Sequence, residues 1–238
     1  QAPIAFVARV TGEVSQTTST GQSSQLLGGT ILIRGTTIAT GANGRVTLIY
    51  LDDQGVLMIQ KNTILTLNGD TTMVGGRPTI SKKSISVESG KVRAVVEGEF
   101  AVFTPTSMAM VEGADFWITT DPVLGDIFLG VDGLVEINNL ISNYISSVAG
   151  GQVGTSSPVG PIHITIYALL RGELIDIYAT QLTLDPTDTG DVTFNGTVRL
   201  TAQTTYAGED PTVGASAVIS GIPNRDGSVT AIQVEFED

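Results

Sequence analysis

Hydrophobic and polar residues alternate along most of this chain, in short segments that are separated by Gly, Asn and Asp. In residues 45–59, Val46, Leu48 and Tyr50 share one face, a turn ends at Gly55, and an apolar return follows. This pattern predicts a β-hairpin. Further strands are predicted on the same grounds at residues 63–67, 85–87, 92–96, 100–103, 116–118, 127–129 and 134–137. Turn signals recur about every 8 to 12 residues, which is typical of a sandwich, a barrel or a solenoid.

One segment departs from this alternation. In residues 138–148, apolar side chains at positions 140, 141, 144, 145 and 148 recur at intervals of three and four, which predicts a short helix. Residues 150–161 are rich in Gly, Ser and Pro and predict a flexible linker. Strands resume at Ile162, Ile164 and Ile166 and continue at 174–184, 192–200, 215–219 and 229–236.

We therefore expect an all-β protein with at most one short helix. Residues 1–138 are predicted to form an irregular β-solenoid or sandwich, residues 139–161 a short helix and linker, and residues 162–238 a small β-barrel or sandwich.

Composition narrows the function classes. The 238 residues carry a net charge of −12, and only 12 of them are basic, which argues against binding to nucleic acid or to anionic membrane surfaces. No segment approaches the roughly 20 apolar residues that span a bilayer, so we expect no membrane insertion. Cysteine is absent, so no disulfide or thiolate site holds the fold. The start at Gln1 rather than Met resembles the product of signal-peptide removal, although a trimmed chain would start in the same way. We expect a secreted protein, extracellular or at the cell surface, with the periplasm as the alternative.

The first part of the chain contains an ordered series of motifs. They are FVARVTGEV (6–14), RGTTIATGANGRVTLIYL (34–51), KNTILTL (61–67), SVESGKVRAVV (86–96), FAVFTPTSMAMVEGADFWIT (100–119) and DGLVEI (132–137). On these motifs, residues 4–138 resemble the FecR-type domain of bacterial envelope proteins. One departure lies at Val111-Glu112-Gly113-Ala114, where the family commonly has Arg-Gly-Thr.

The resemblance implies an all-β, partly solenoidal fold outside the cytoplasmic membrane. In some members of the family, the domain relays a signal from an outer-membrane receptor to a membrane-bound regulator. That role uses a cytoplasmic segment and a membrane helix, and this sequence shows neither; if the chain is complete, we expect a different role. Later segments, VTFNGTVRL (192–200), VGASAVISGI (213–222) and DGSVTAIQVEF (226–236), are similar to a small barrel-like domain of unknown function from secreted bacterial proteins.

Few residues suggest chemistry. His163, the only histidine, lies on the polar side of an alternating segment and is interpreted as a surface residue. Asp185, Asp188 and Asp191 cluster beside Gly190 in a predicted loop, and because Ca²⁺ prefers oxygen ligands they are a candidate calcium site; a solvated acidic turn is the alternative. We expect no other cofactor.

A glycosidase requires two carboxyl groups about 5 to 10 Å apart. Candidates are Asp52 with Asp53, and Asp121, Asp126 and Asp132. Aromatic residues make up only 5% of the chain and Trp117 is the single Trp, which leaves little surface for sugar stacking. We therefore expect no enzyme activity.

The leading hypothesis is a non-enzymatic structural protein of the cell exterior, whose partners are other copies of itself. Exposed strand edges add readily to a neighbouring sheet, so such a protein could form a filament, a tube or a surface layer. Two segments are the candidate edges for this self-association: Ile4, Phe6, Val7 and Val10 in the first, and Ile162, Ile164 and Ile166 in the second. The alternative is a periplasmic or surface binding or sensing module of FecR type that recognises a glycan, another cell-envelope partner or a partner protein.

Overall fold

The computed structural model describes residues 3–189, 192–201, 204–207 and 212–237, and in these residues every regular element is a β-strand. The chain divides into two compact units, Gln1–Ile164 and Thr165–Asp238. Each unit has its own hydrophobic core. The all-β fold class predicted from the alternation is confirmed.

The larger sheet of the described residues has 14 strands, which belong to the first unit except that the last strand crosses the boundary after Ile164. Its strands are β1 (Pro3–Thr11), β2 (Val14–Thr17), β3 (Ser23–Gln25), β4 (Ile31–Ile33), β5 (Thr37–Thr40), β6 (Arg45–Tyr50), β7 (Gly55–Ile59), β8 (Ile64–Val74), β9 (Arg77–Phe103), β10 (Ser107–Asp121), β11 (Gly125–Asn139), β12 (Ile145–Ala149), β13 (Gln152–Ser156) and β14 (His163–Ile166).

The main path of this sheet runs in the order β14-β13-β11-β10-β9-β7-β6-β1-β4. A branch connects β9 through β8 and β5 to β2 and β3, and β12 pairs with β11. The 27-residue strand β9 joins the two parts, because its first half pairs with β8 and its second half pairs with β7 and β10.

Alternation explains how these strands share one core. In β6 and β7, buried side chains alternate strictly with partly exposed ones, so Val46, Leu48 and Tyr50 point inward together. The same arrangement in the other strands brings Phe116 and Phe128 into a single hydrophobic cluster.

The helix predicted over residues 138–148 is wrong. Residues 140–144 form a turn after β11, and the following residues form β12, which pairs with β11 from Leu134↔Ala149 to Asn138↔Ile145. Of the five apolar side chains that suggested a helix, only Val148 is buried. The three-and-four spacing therefore comes from an exposed apolar turn followed by a strand. The predicted linker is also wrong in part, since β13 lies within it and pairs with β11.

The second unit is a small barrel. Its described strands are β15 (Ala168–Tyr178), β16 (Gln181–Asp188), β17 (Thr197–Arg199), β18 (Thr205–Ala207), β19 (Ser216–Pro223) and β20 (Val229–Glu237). The order is β17-β16-β15-β19-β20-β18, and β17 also pairs with β20 in parallel, so five of these strands close into a ring. Leu170, Leu182, Ile219 and Val234 are fully buried inside it. In the described residues, no helix is long and apolar enough to cross a membrane.

Candidate binding site

The outer face of β9, β10 and β11 carries the candidate site. These strands form a meander in which successive side chains alternate between the core and the solvent. Phe100 and Val102 are buried in the core, so Ala101 and Phe103 face outward. In the neighbouring strand Met110 is 51% exposed.

Cross-strand register brings the outward residues of the three strands together. Met110 lies opposite Ala101 of β9 and Glu136 of β11, and Met108 lies opposite Phe103. Directly opposite residues stand roughly 5 Å apart, so these side chains cover a continuous surface. The surface forms an open groove with a volume of about 750 Å³. It is lined by Lys82, Lys83, Ser84, Glu99, Phe100, Ala101, Phe103, Met110, Val111, Glu112, Leu134 and Glu136.

The floor of the groove is apolar and open to solvent. Phe103 is 39% exposed, Met110 51% and Leu134 55%. Isolated exposed apolar side chains are common on protein surfaces, but a contiguous group in a concave surface marks an interaction site. All three belong to strands of a hydrogen-bonded sheet, so the surface is largely preformed.

The rim of the groove is acidic. Glu99 and Glu112 are directly opposite each other on β9 and β10, and both are exposed, as is Glu136 on β11. A bulge follows Glu112 at Gly113, whose φ is +78°. The partner strand approaches so closely here that a Cβ on Gly133 would lie 2.6 Å from the Gly113 carbonyl oxygen. Position 133 therefore requires glycine, and the bulge at Gly113 fixes the direction in which the Glu112 side chain points.

Two lysines line the remaining wall, and both contact other carboxylates. The Lys83 side chain is only 3% exposed, and its Nζ donates to Asp52 Oδ2 at 3.2 Å and to Gln54 Oε1 at 3.2 Å. The Lys82 side chain is 83% exposed, and its Nζ lies 3.4 Å from Asp70 Oδ2. Asp70 also accepts a hydrogen bond from Arg34 Nη1 at 2.5 Å, so Lys82 shares this carboxylate with a second cation. In the described residues, neither lysine is paired with Glu99, Glu112 or Glu136.

The Asp52–Lys83 pair is a structural element beneath the groove. Asp52 also accepts hydrogen bonds from the backbone N–H groups of Gln54 at 3.2 Å and Ile80 at 3.3 Å. Burial, and secondarily the Asp52 charge, raise the pKa of the neighbouring Tyr50 hydroxyl well above its usual value. Tyr50 therefore stays protonated across the physiological range.

A second exposed apolar segment is the turn between β11 and β12. Leu140 is 49% exposed, Ile141 57% and Tyr144 50%. The buried Asn139 fixes this turn, because its Oδ1 accepts hydrogen bonds from the N–H groups of Ile141 at 3.0 Å and Ser142 at 2.8 Å. Its amide group also donates to β13 at 2.9 Å. The hydrogen bonds of Asn139 thus stabilise the turn that exposes Leu140, Ile141 and Tyr144.

Two of the aspartates considered for a glycosidase, Asp126 and Asp121, accept hydrogen bonds from nearby groups of the first unit. Asp126 is fully buried and accepts a hydrogen bond from Thr104 Oγ1 at 2.6 Å and another from Thr106, whereas Asp132 is exposed. Asp121 accepts hydrogen bonds from the backbone N–H groups of Leu124 at 2.9 Å and Val123 at 2.8 Å, which lower its pKa. Asp126 is thus enclosed in the core, whereas Asp121 and Asp132 are exposed, so burial separates Asp126 from the other two.

Most of the first predicted association segment does not lie at an edge. The strand β1 is hydrogen-bonded to β4 on one side and to β6 on the other. Ile4 and Val7 are buried, Val10 packs against the core, and Phe6 is partly buried. The prediction of a free edge is wrong for Ile4, Phe6 and Val7, because β4 and the residues before it are hydrogen-bonded to this part of β1, whereas Val10 is paired with β6 alone. The prediction relied on low charge, which is also typical of an interior strand.

The second predicted association segment is at an end of the sheet path. The strand β14 pairs with β13 and has no further neighbour in the strand order. Ile162 and Ile164 pack partly against the core, and Ile166 is 72% exposed. His163 is exposed, in agreement with its interpretation as a surface residue.

The predicted calcium ligands are only partly described. Asp185 and Asp188 belong to β16 rather than to the predicted loop, and both are exposed, while Asp191 lies outside the described residues. Among the residues that the structure describes, no group of three or more acidic or histidine side chains is placed to hold a metal ion. The calcium site stays a prediction.

Comparisons with known proteins give limited similarity. No family model matches the chain, and no curated protein matches its sequence. Two crystal structures of a putative anti-sigma factor from Parabacteroides distasonis ATCC 8503, at 1.65 Å and 2.50 Å resolution, align with 55% of this chain and 59% of their own. Their sequence identities are 16% and 15%, and their TM-scores are 0.43 and 0.44. The chain thus spans well under two thirds of the length of these structures.

Proposed function

We propose that this protein is a non-catalytic binding module whose first unit recognises a segment of a partner protein in the groove on β9, β10 and β11. The observation that carries this proposal is the outward clustering of Phe103, Met110 and Leu134 on a rigid sheet. A folded protein ordinarily keeps such a surface covered, and burial of this area would favour association.

The test uses a displayed library of random peptides, selected on the immobilised full chain. Selected peptides should lose at least about ten-fold in affinity on the Met110→Ala/Leu134→Ala variant, since truncating two central apolar contacts removes well over 1.4 kcal/mol. The matched control is Met73→Ala, which removes a 67% exposed Met outside the groove and should leave affinity unchanged. Selected peptides that bind both variants equally well would contradict the proposal.

Self-association is a second candidate function, and it now relies on β14 alone. The supporting observation is that β14 ends the sheet path with Ile166 exposed. A charged residue on an edge strand blocks strand addition, so Ile166→Lys should dissolve any assemblies. Sedimentation velocity on the wild type and the variant tests this, and a wild-type chain that sediments as a monomer at high concentration would contradict it.

The FecR-type resemblance of residues 4–138, the location outside the cytoplasm and the lack of catalysis stay predictions from the sequence. They agree with a binding role and do not identify its partner.

A further inference from the structure

The groove contains a like-charge pair that works against the stability of its own sheet. Glu99 and Glu112 are directly opposite each other across β9 and β10, on the same face as Met110. Like charges that are directly opposite each other destabilise a sheet, because the Cβ atoms that carry them stand only about 5 Å apart. In the described part of the chain, none of the ion pairs involves Glu99, Glu112 or Glu136. The groove lining therefore carries three glutamates against two lysines, of which Lys83 is paired with Asp52, so the net charge of the groove is negative.

The carboxylates are arranged at intervals that suit an extended peptide. Glu136 lies opposite Met110, and Glu112 is two residues further along the same strand. Diagonal neighbours of this kind are roughly 7 to 8 Å apart. In an extended peptide, side chains on alternate residues are about 7 Å apart, so two cationic side chains separated by one residue match this spacing.

The apolar floor decides between a peptide and a small cation. A free polyamine or metal ion would meet the carboxylates but leave Phe103, Met110 and Leu134 in water. A peptide that combines basic and large apolar side chains satisfies both parts of the groove. The rim would guide such a segment, and the floor would retain it.

We propose that the groove binds an extended partner segment that carries Lys or Arg close to large apolar side chains. This inference rests on the proposed binding function and adds the chemical class of the partner. The acidic pair is then a recognition feature, kept at a cost to the stability of the sheet.

The experiment measures fluorescence anisotropy with two labelled peptides and the full chain. The cationic probe has the sequence Lys-Leu-Lys-Phe-Lys-Leu-Lys, and the neutral probe replaces each Lys with Gln. We expect the cationic probe to bind at least about ten-fold more tightly, and its Kd to rise about ten-fold in Glu99→Gln/Glu112→Gln, as the loss of two exposed ion pairs implies.

The control removes the same charge elsewhere, since a chain of net charge −12 attracts any cation. Glu173→Gln/Asp176→Asn neutralises two exposed carboxylates of the second unit, and we expect less than about a two-fold change in Kd. Equal weakening by both pairs of substitutions would overturn the inference, as would failure of the cationic probe to bind.

Two readouts separate this inference from the proposed function. If the neutral probe binds as tightly as the cationic one and both depend on Met110 and Leu134, the binding function stands and the partner class is wrong. Folding is checked by urea unfolding: Glu99→Gln/Glu112→Gln should unfold at the same or a higher urea concentration, because it relieves repulsion. Should the double variant prove less stable, Glu112→Gln alone decides, with about a three-fold rise in Kd expected.

Discussion

The buried ion pair between Lys83 and Asp52 gives a quantitative test of how the groove is supported. Their side chains are only 3% and 5% exposed, so neither charge can be solvated if its partner is removed. In Lys83→Met, the Asp52 carboxylate would keep only the N–H groups of Gln54 and Ile80. Breaking a buried pair in this way destabilises a protein by about 3 to 5 kcal/mol.

The reverse substitution should be milder. In Asp52→Asn, the Lys83 ammonium keeps two oxygens of Gln54, and the Asn oxygen can still accept a backbone hydrogen bond. We expect a loss of about 1 to 3 kcal/mol. Removing both charges together should cost less than the sum of the single losses, with an interaction energy of about 2 kcal/mol.

Trp117 provides the assay. It is the only Trp, it lies in β10 of the first unit and it is 4% exposed, so its fluorescence during urea unfolding reports on that unit. The control is Lys82→Met, at a neighbouring side chain that is 83% exposed, which should change the free energy of unfolding by less than about 0.5 kcal/mol. Losses that add within about 0.5 kcal/mol, or a Lys83→Met loss no larger than the control, would refute the reasoning.

Two further predictions concern backbone geometry and pH. Gly90 has a φ of +99°, and a Cβ on it would lie 2.5 Å from Thr63 Cα, so Gly90→Ala should lower the free energy of unfolding by more than about 2 kcal/mol. The control is Gly28→Ala, whose Cβ would meet nothing within 4 Å and which should change the free energy of unfolding by less than about 0.5 kcal/mol. Equal urea midpoints for the two variants would contradict this prediction. Hydrogen bonds from the Ser228 hydroxyl and the Ser228 backbone N–H, together with the charge of Arg199, lower the pKa of Asp226. The ionised Asp226 carboxylate therefore stabilises the folded state above its unfolded pKa of about 3.9. This stabilisation is lost as the pH falls through the lower pKa of the folded state. NMR titration of the Asp226 carboxyl should show its pKa rise toward the ordinary value in Ser228→Ala, and an unchanged pKa would count against this assignment.

Much of the architecture could be predicted from the spacing of apolar residues. Strict alternation in β6 and β7 has one physical meaning, because only a strand buries every second side chain. The helix over residues 138–148 was predicted wrongly for a related reason. A pattern argument assumes that apolar residues face the core, and Leu140, Ile141 and Tyr144 are exposed instead.

The groove could not be predicted from local pattern. Residues 100–103 are apolar at every position, and so are residues 108–111, so both faces of each strand are apolar here. A half-buried strand needs only one apolar face. That signal indicates a covered or interacting outer face, but it does not distinguish the two. The pairing of Glu99 with Glu112 depends on register, and the register is shifted by the bulge at Gly113.

The low charge of the first strand was ambiguous in the same manner. An interior strand and an aggregation-prone edge strand have similar composition, and only the pairing of β1 with both β4 and β6 separates them.

Methyl NMR of the four methionines can locate the peptide-binding surface of the chain. The chain is labelled at the Met methyl groups and titrated with a peptide selected from the library. The account predicts a saturable shift of the Met110 methyl signal, which lines the groove, while the signal of Met73, exposed outside it, stays in place. A peptide that binds with no change at Met110, or that shifts Met73 instead, would contradict it.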